Sequence, residues 1–577
     1  MPCHLDLNSL SPLPQELRQD LADLISMRVS SAATQPAARR AGSTNLLPTG
    51  TSMTTPTRTT TRRDFLADVG RGMLVAGVGY GTACDMGLSP AWAANDAAND
   101  LTFGDREPLV RLMQDTAAEK LLPQIVEKWK SGTSLKEIVA AAALANARTF
   151  GGEDYIGFHT MMALSPAYQM SRELPSEQSP LPVLKVLYRN SHRIQEHGGH
   201  KSEILHPVVA ATGATDGLHA AVLGKDRDKA EQIFAQIAQR SADDAFNEVL
   251  EVVQDNTEVH RVVMPYRAWE LLDIVGREHA HTMLRQSVRY CVKSECGNNN
   301  DYARGGSRLL PKLFDQFKLP SMPLGTKLAS DEWVEHLSRT IFEAAPDQAA
   351  EAAAAALSEG FAPEAVGEAI TLAANQLLLR DLGRPEKQAS AGKPIGSVHG
   401  DSIGVHACDS ANAWRNMARV SNARNSAACL ILGAWQVAHD RISRGGDFLK
   451  WQPWPLADHV ERLVTKSAQA TPASLLGLLD AAILANDQAL SCAAVAAYLK
   501  LDQSPRPVFD VLLKYSISED GALHAEKFYR TVSHEFAETR AAFKWRHLIA
   551  LARVAASESG RPAPGMDEAR RLLKTVG

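Results

Sequence analysis

The spacing of apolar residues past residue 100 constrains the fold more than any other feature of this sequence. Apolar side chains recur every three or four residues, as Ile138, Ala141, Ala142 and Ala145 do in the segment SLKEIVAAAALANAR. This spacing places them on one face of a helix. We find no series of segments in which apolar and polar residues alternate, as strands would require. The pattern predicts an all-α protein with a multi-helical layered or solenoid-like body.

Helix-start signals and breaks support this prediction. Ser134 is followed three residues later by Glu137, which is the pattern of a capping box, and Pro363 followed by Glu364 is typical of a first helical turn. We expect loops between helical layers where Gly, Pro and Asn interrupt the apolar pattern, at residues 296–308, 383–397 and 443–455.

Composition removes several classes of protein. Lys and Arg total 61 against 66 for Asp and Glu, which gives a net charge of −5. The chain therefore lacks the basic excess that a nucleic-acid backbone requires, and nucleic acid is not an expected partner. The seven cysteines are too scattered for a disulfide framework, and Cys291 and Cys296 lack the second cysteine pair of a zinc ribbon.

Residues 53–93 have the organisation of an export signal. From Met53 a polar stretch leads to Arg62 and Arg63, and a glycine-rich apolar stretch then ends at Ala-Trp-Ala, residues 91–93. This segment resembles a twin-arginine signal peptide with an A-x-A cleavage pattern. The resemblance implies that the twin-arginine translocase is a partner during export and that the mature protein is periplasmic or otherwise exported. A helix that carries two arginines by chance is the alternative.

The sequence around this signal completes the predicted organisation. Residues 1–52 have no sustained periodicity, and we interpret them as a mis-assigned upstream segment, with Met53 as the true start, or as a disordered leader. Cys84 lies in a weak lipobox, so we expect membrane contact only through the signal peptide or a lipid on this cysteine. Residues 94–577 are the predicted helical body, with 100–330 and 331–577 as candidate halves.

Two segments of the body resemble each other. SLKEIVAAAALANA leads to a Gly-Phe-His sequence that ends at His159, and APEAVGEAITLAAN leads to a Gly-Val-His sequence that ends at His406. An internal duplication and the shared composition of alanine-rich helices explain this similarity equally well. With a duplication, each half would contribute one histidine.

Histidines at helical spacing from carboxylates suggest a metal site. Asp216 and His219 are three residues apart, as are His406 and Asp409, so each pair would share a helical face. His206, with the proline that follows it, is expected to begin an apolar helix. If these helices met, the five residues would form a His/carboxylate site for iron, manganese or zinc. Solvated histidines and a histidine at a helix start are the ordinary alternatives.

The segment VHRVVMPYRAWELLDIVGREHAHTMLRQSVRY combines an apolar helical stripe with aromatic and basic residues. Tyr266 and Trp269, together with His159, are candidates to bind an aromatic substrate. Arg267 and Arg289 are candidates to stabilise an oxyanion. Ordinary hydrogen bonds between helices are the alternative role for all of them.

Three stretches carry a resemblance to a known family. They are GFHTMMALSPAYQM, then ILHPVVAATGATDGLHAAVLGKDRDKAEQIFAQIA, and finally GVHACDSANAWRNM followed by NARNSAACLILGAWQVAHDR. Together they resemble the questin oxidase-like family. The resemblance implies an all-helical oxidase that inserts oxygen beside a carbonyl of an aromatic polyketide quinone, with a cleft lined by His159, His206, His219 and His406. Fungal members are associated with NADPH, a cytoplasmic reductant that an exported protein would not meet.

Such a reaction needs a base that deprotonates a phenol or binds peroxide. Histidine titrates near neutral pH, so His206 or His406 would serve, with Arg267 or Arg289 stabilising the oxyanion. The predicted function is therefore an exported oxidoreductase that acts on an aromatic or quinone-type small molecule at a histidine-lined cleft, with a metal ion or without a cofactor.

Other functions remain open at this point. A non-catalytic helical protein that binds a partner or forms a scaffold in the cell envelope would scatter its histidines through cores and loops. The helix SLKEIVAAAALANAR is also similar to peroxidase-like proteins of the carboxymuconolactone decarboxylase type, but the C-x-x-C of their thiol chemistry is missing. His534 and Glu535 lack the second histidine of a zincin, and we expect them to be a surface pair.

Overall fold

The computed structural model describes residues 100–574 apart from 214–216, 298–300, 399, 401, 444–446 and 466–470. Within these residues the protein is all-α, with isolated β-bridges and no strands, which confirms the predicted fold class. Residues Leu101–Gly577 cluster into one compact unit. The predicted leader 1–52, the signal peptide with Arg62 and Arg63, and the lipobox at Cys84 lie outside the described residues.

The α-helices are numbered here in chain order. The first half contains α1 (Glu107–Asp115), α2 (Ala118–Lys130), α3 (Leu135–Phe150), α4 (Tyr155–Ser171), α5 (Leu181–His197), α6 (Leu218–Leu223), α7 (Arg227–Ala238), α8 (Ala242–Val253), α9 (Val259–Val275), α10 (Ala280–Glu295) and α11 (Gly305–Phe317). The second half contains α12 (Asp331–Glu343), α13 (Pro346–Ser358), α14 (Pro363–Arg380), α15 (Ile403–Val420), α16 (Ala423–Ser443), α17 (Ala457–Thr465), α18 (Pro472–Leu484), α19 (Gln488–Leu499), α20 (Arg506–Ser518), α21 (His524–Glu538), α22 (Trp545–Glu558) and α23 (Met566–Leu573).

The core is built from helices that are enclosed on all sides. In α3 every residue from Ile138 to Phe150 is buried, and α14, α15 and α16 are buried over most of their length. A helix that is apolar around its circumference is stable only when other helices surround it. Accordingly, α15 packs between α14 and α16, and α3 packs against α4 and α9.

Four helices from distant parts of the sequence pack in a closed ring. α4 contacts α9, α9 contacts α15, α15 contacts α21, and α21 contacts α4. Two of these helices precede residue 330 and two follow it. Both candidate halves of the body therefore contribute to the ring.

Capping residues fix where the helices begin. The predicted capping box is present at α3, where the Ser134 hydroxyl accepts from the N–H of Glu137 and the Glu137 carboxylate accepts from the N–H of Ser134. The Asp154 carboxylate caps α4, and the Glu258 carboxylate caps α9 by accepting two backbone N–H groups. The Glu258 cap also contacts the side chain of His260 on α9.

Two glycines let helices of the ring approach their neighbours closely. A Cβ on Gly157 would lie 2.6 Å from the ring of Phe150, and a Cβ on Gly404 would lie 2.5 Å from the Cα of Leu378. These glycines are the first residues of the two similar tripeptides in the sequence. In both tripeptides the glycine allows close packing, and the histidine follows two residues later.

The helix predicted to begin at His206 is absent. Residues 203–212 have no regular secondary structure, and α6 begins only at Leu218. The backbone N–H groups of Ile204 and Leu205 donate to the carbonyl of Arg148, at 2.9 and 3.0 Å, so this chain is held against the end of α3. The three predicted loops do follow α10, α14 and α16, although α11 already begins at Gly305. None of the described helices has the length and hydrophobicity needed to cross a membrane.

Candidate functional site

Four histidine side chains, one from each helix of the ring, meet inside the body. Nε2 of His159 on α4 is 3.3 Å from Nε2 of His260 on α9. Nε2 of His406 on α15 is 3.5 Å from Nε2 of His524 on α21. The two pairs are adjacent, because the ring centroids are 5.3 Å apart for His159 and His524 and 6.1 Å apart for His260 and His406. We call these residues the four-histidine cluster.

The cluster lies where the N-terminal ends of four helices come together. Each of its histidines is within the first two turns of its helix. The N-terminal turn of a helix carries a partial positive charge from its backbone N–H groups. This field disfavours protonation of the imidazoles.

The other ring nitrogen is anchored by an oxygen atom in His260, His159 and His524. Nδ1 of His260 is 2.6 Å from the Glu258 carboxylate, and Nδ1 of His159 is 2.7 Å from the backbone oxygen of Tyr155. Nδ1 of His524 is 3.2 Å from the backbone oxygen two residues before it. Burial opposes ionisation of Glu258, but His260 and two backbone N–H groups lower the pKa of this carboxyl to about 2. The anchors orient each Nε2 toward the cluster.

Aromatic side chains border the cluster. The ring of Tyr155 lies 4.4 Å from that of His159 and is 61% exposed, whereas Phe158 is buried and stacks on His159 at 4.9 Å. Tyr290 packs edge-on against Phe158. Ile156, next to Tyr155, is also exposed. The cluster therefore lies just beneath an exposed aromatic and apolar surface.

A second layer of buried polar groups extends from the cluster along the same helices. The Thr531 hydroxyl on α21 donates to the Asp409 carboxylate on α15 at 2.7 Å, and it accepts from the Arg267 guanidinium on α9 at 3.3 Å. Lys527 lies on α21 between His524 and Thr531, and it is buried. This layer places two cations and a carboxylate close to the imidazoles.

The charges of the two layers influence each other. Burial, together with the positive charge of Lys527, lowers the pKa of both His159 and His524 far below the usual range, so both imidazoles are neutral at neutral pH. Burial also lowers the pKa of Lys527 to about 8, although Asp409 opposes the change. The pKa of Asp409 is raised by its burial. The site thus combines neutral imidazoles with a readily deprotonated amine.

The predicted surface pair at His534 and Glu535 is wrong. Glu535 is buried, accepts a hydrogen bond from Asn412 at 2.7 Å and is paired with Arg415. Burial opposes its ionisation, but Arg415 and the neighbouring histidines lower its pKa to about 2. Glu535 and His547 also line a small internal cavity, with room for about one water molecule.

Several residues predicted from the sequence are brought together. His159 and His406 belong to the cluster, and Arg267 and Asp409 lie in the layer beneath it. Arg267 also pairs with a carboxylate on its own helix, and its guanidinium lies 5.1 Å from the ring centroid of buried Tyr266. Arg267 is thus held in place beside Tyr266, below the histidines.

The predicted metal set does not form. His206 is exposed, and its backbone oxygen accepts a hydrogen bond from Arg285 at 2.8 Å. His219 is exposed and paired with Asp255 at 2.8 Å. Asp216 lies outside the described residues. Residues 203–212 do not form the predicted helix, so His206 is not presented from a helical face.

Arg289 and Trp269 have structural surroundings. The Arg289 guanidinium pairs with Glu231 at 3.0 Å and with Glu153 at 2.7 Å, so it is neutralised between two carboxylates. Trp269 stacks on Phe246 with ring centroids 4.4 Å apart. Arg289 and Trp269 therefore both have contacts within the helical body. Their predicted roles, in oxyanion binding and in substrate binding, stay predictions.

Sequence reasoning left two members of the cluster without a role. His260 lies in the predicted aromatic and basic segment but is not a predicted site residue, and neither is His524. A signal was present: in HAEKFYRT, His524, Lys527 and Thr531 are spaced at three and seven residues and form one polar stripe on a helix. Because polar stripes usually face solvent, the spacing alone does not reveal that this one is buried.

No family model matches the chain, and neither a curated protein nor a solved structure matches it. The resemblance to the questin oxidase-like family therefore stays a prediction. In the part of the chain that the structure describes, no three or more His, Cys, Asp or Glu side chains already form a group placed to hold a metal ion. The imidazoles of the cluster meet as two close pairs.

Proposed function

We propose that this protein is an oxidoreductase that acts on an aromatic or quinone-type small molecule at the four-histidine cluster. The observation that carries the proposal is the convergence of four imidazoles from four distant helices, two of which have a strongly lowered pKa. Titratable groups with shifted pKa values that gather below an accessible surface are typical of reactive sites. In a scaffold protein we would instead expect the histidines to lie apart from one another, in cores and loops.

The surroundings of the cluster favour a phenolic substrate. Exposed Tyr155 and buried Phe158 provide aromatic surface against which a planar ring can pack. The helix N-terminal ends and the nearby Lys527 ammonium favour a negatively charged oxygen. A phenol that loses its proton at the cluster matches both features.

A hydroquinone gives the simplest balanced reaction. Nε2 of a neutral histidine accepts one phenolic proton. The ring of the deprotonated hydroquinone then transfers two electrons to molecular oxygen. The second phenolic proton and the proton held by the histidine both pass to the reduced oxygen, so the substrate leaves as a quinone, oxygen leaves as hydrogen peroxide, and the histidine is neutral again. The oxygen insertion that the family resemblance implies would need an additional two-electron reductant, for which NADPH is the reagent to test.

The test is oxygen consumption and peroxide formation by the purified protein with phenols, hydroquinones and hydroxyanthraquinones, each with and without NADPH. We expect turnover to fall at least about 100-fold in His159→Ala and His406→Ala, the size typical of a lost acid–base group. His336→Ala is the matched control, since His336 is exposed on α12. Lack of turnover on all substrates, or turnover that survives both cluster substitutions, contradicts the proposal and favours a binding scaffold.

We also propose export by the twin-arginine route, on the strength of the sequence around Arg62 and Arg63. The test is fractionation of cells that express the chain, alongside an Arg62→Lys, Arg63→Lys variant. We expect the wild-type protein outside the cytoplasm and the variant within it. Equal distribution of the two proteins contradicts export by this route.

A further inference from the structure

The hydrogen bonds of the cluster fix how its imidazoles are oriented. Carboxylate and carbonyl oxygens only accept hydrogen bonds, so Nδ1 of His260 donates to Glu258 and Nδ1 of His159 donates to the backbone oxygen of Tyr155. Each ring therefore directs its Nε2 away from this anchor and into the cluster. The two Nε2 atoms face each other at 3.3 Å.

The second pair also has Nε2 atoms that face each other. Nδ1 of His524 donates to a backbone oxygen at 3.2 Å, and Nε2 of His524 faces Nε2 of His406 at 3.5 Å. The Nε2 atoms of all four histidines thus meet in two adjacent pairs.

The spacing within each pair suits a shared metal ion. Two imidazole nitrogens at about 2.1 Å from a tetrahedral ion are roughly 3.4 Å apart. The observed separations of 3.3 and 3.5 Å match this value. Each pair therefore has the spacing of two ligands of one tetrahedral ion, and the two pairs are adjacent.

We propose that the four-histidine cluster binds one divalent first-row transition-metal ion through the Nε2 atoms of His159, His260, His406 and His524. An all-imidazole set favours Zn²⁺, Cu²⁺, Fe²⁺ or Ni²⁺ over the oxygen-preferring Mg²⁺ and Ca²⁺. Hydrogen bonds from Nδ1 to a carboxylate or a carbonyl are the outer contacts that metal-ligating histidines usually have. This inference rests on the proposed function only in that both concern the same site.

The experiment measures ion binding without any substrate. The full chain is treated with a chelator, dialysed against Zn²⁺, Co²⁺ or Mg²⁺, and its metal content is determined by mass spectrometry. We expect about one Zn²⁺ or Co²⁺ per chain, a visible Co²⁺ absorption spectrum of tetrahedral type, and a higher Tm with Zn²⁺ but not with Mg²⁺. The control His336→Gln should bind as the wild type does.

Two variants locate the ion. The double variant His260→Gln, His524→Gln should lose the bound ion. Glu258→Gln keeps all four ligands but weakens the contact that orients His260, and it should reduce the affinity about 10- to 100-fold. If the double variant does not fold, ion binding by the wild type and by Glu258→Gln provides the test.

The inference is overturned if the wild type binds no Zn²⁺ or Co²⁺ above the level of Mg²⁺. It is also overturned if the folded double variant binds as much ion as the His336→Gln control. Turnover without ion binding would remove this inference and leave the proposed function. Ion binding without turnover of any phenol or quinone would remove the proposed function and support the metal site.

Discussion

Glu558 provides a quantitative prediction about how α21 is anchored. This carboxyl, at the end of α22, is buried near Lys185 and Glu526. Nζ of Lys185 is 2.7 Å from Glu526 and also donates to the backbone oxygens of Ser516 and Glu519. Lys185 is thus the cation near two buried carboxyls, Glu526 and Glu558. Burial, with added repulsion from Glu526 and only partial compensation by Lys185, raises the pKa of Glu558 to about 8.

The shift predicts the direction in which stability depends on pH. In the unfolded chain this carboxyl has its ordinary pKa of 4.5, whereas in the folded protein the pKa is about 8. The folded state therefore binds the proton more tightly, and the associated stability is complete below pH 4.5 and is lost as the pH rises to 8. At about 1.4 kcal/mol per pH unit, the free energy of unfolding falls by at most about 5 kcal/mol.

The assay is urea unfolding at pH 5.5 and 8.5. We expect the contribution of Glu558 to lower the free energy of unfolding of the wild type by about 3 kcal/mol between these values. Glu558→Gln, which cannot ionise, should lack this contribution. Glu359→Gln removes an exposed carboxyl and should behave as the wild type. Equal pH dependence in the wild type and Glu558→Gln would refute the reasoning, because another group would then control it.

Three further predictions concern packing and charge. Gly404→Ala places a Cβ 2.5 Å from the backbone of α14, so we expect a loss of about 1–3 kcal/mol together with reduced ion binding or turnover, since His406 moves with α15. Ser134→Ala removes the cap of α3 and should lower the free energy of unfolding by about 1 kcal/mol, while ion binding and turnover stay unchanged. If Ser134→Ala reduced ion binding or turnover as much as Gly404→Ala does, the link between Gly404 and His406 would be contradicted. Glu535→Gln removes one carboxylate from buried Arg415 and should cost about 1–3 kcal/mol in urea unfolding at pH 7; an unchanged midpoint would show that the pair contributes nothing.

The sequence predicts the fold class because the relevant interactions are local. Apolar spacing, the capping box at Ser134 and the proline at position 363 each act within one or two turns, and all three mark helices in the structure. The helix expected at His206 fails for a non-local reason. Its backbone groups bond to the end of α3 and to Arg285, and no pattern within the segment reveals those partners.

The site is predicted only in part, because it depends on which helices meet. His159 and His406 stand out through the two similar tripeptides, and both lie in the cluster. His260 and His524 do not stand out, since their partners are distant in the sequence and their helices meet only through tertiary packing. His206 and His219 mislead for the opposite reason: closeness in sequence does not bring side chains to one point where residues 203–212 have no regular secondary structure.

The convergence of the histidines is tested most directly by a double-mutant cycle on His159 and His524, which come from α4 and α21. The free energy of unfolding is measured by urea in the presence of a chelator for the wild type, His159→Ala, His524→Ala and the double variant. We predict a coupling energy of at least about 0.5 kcal/mol, as residues in contact usually show, and none between His159→Ala and His336→Ala. Additive effects of His159→Ala and His524→Ala would contradict a single four-histidine site.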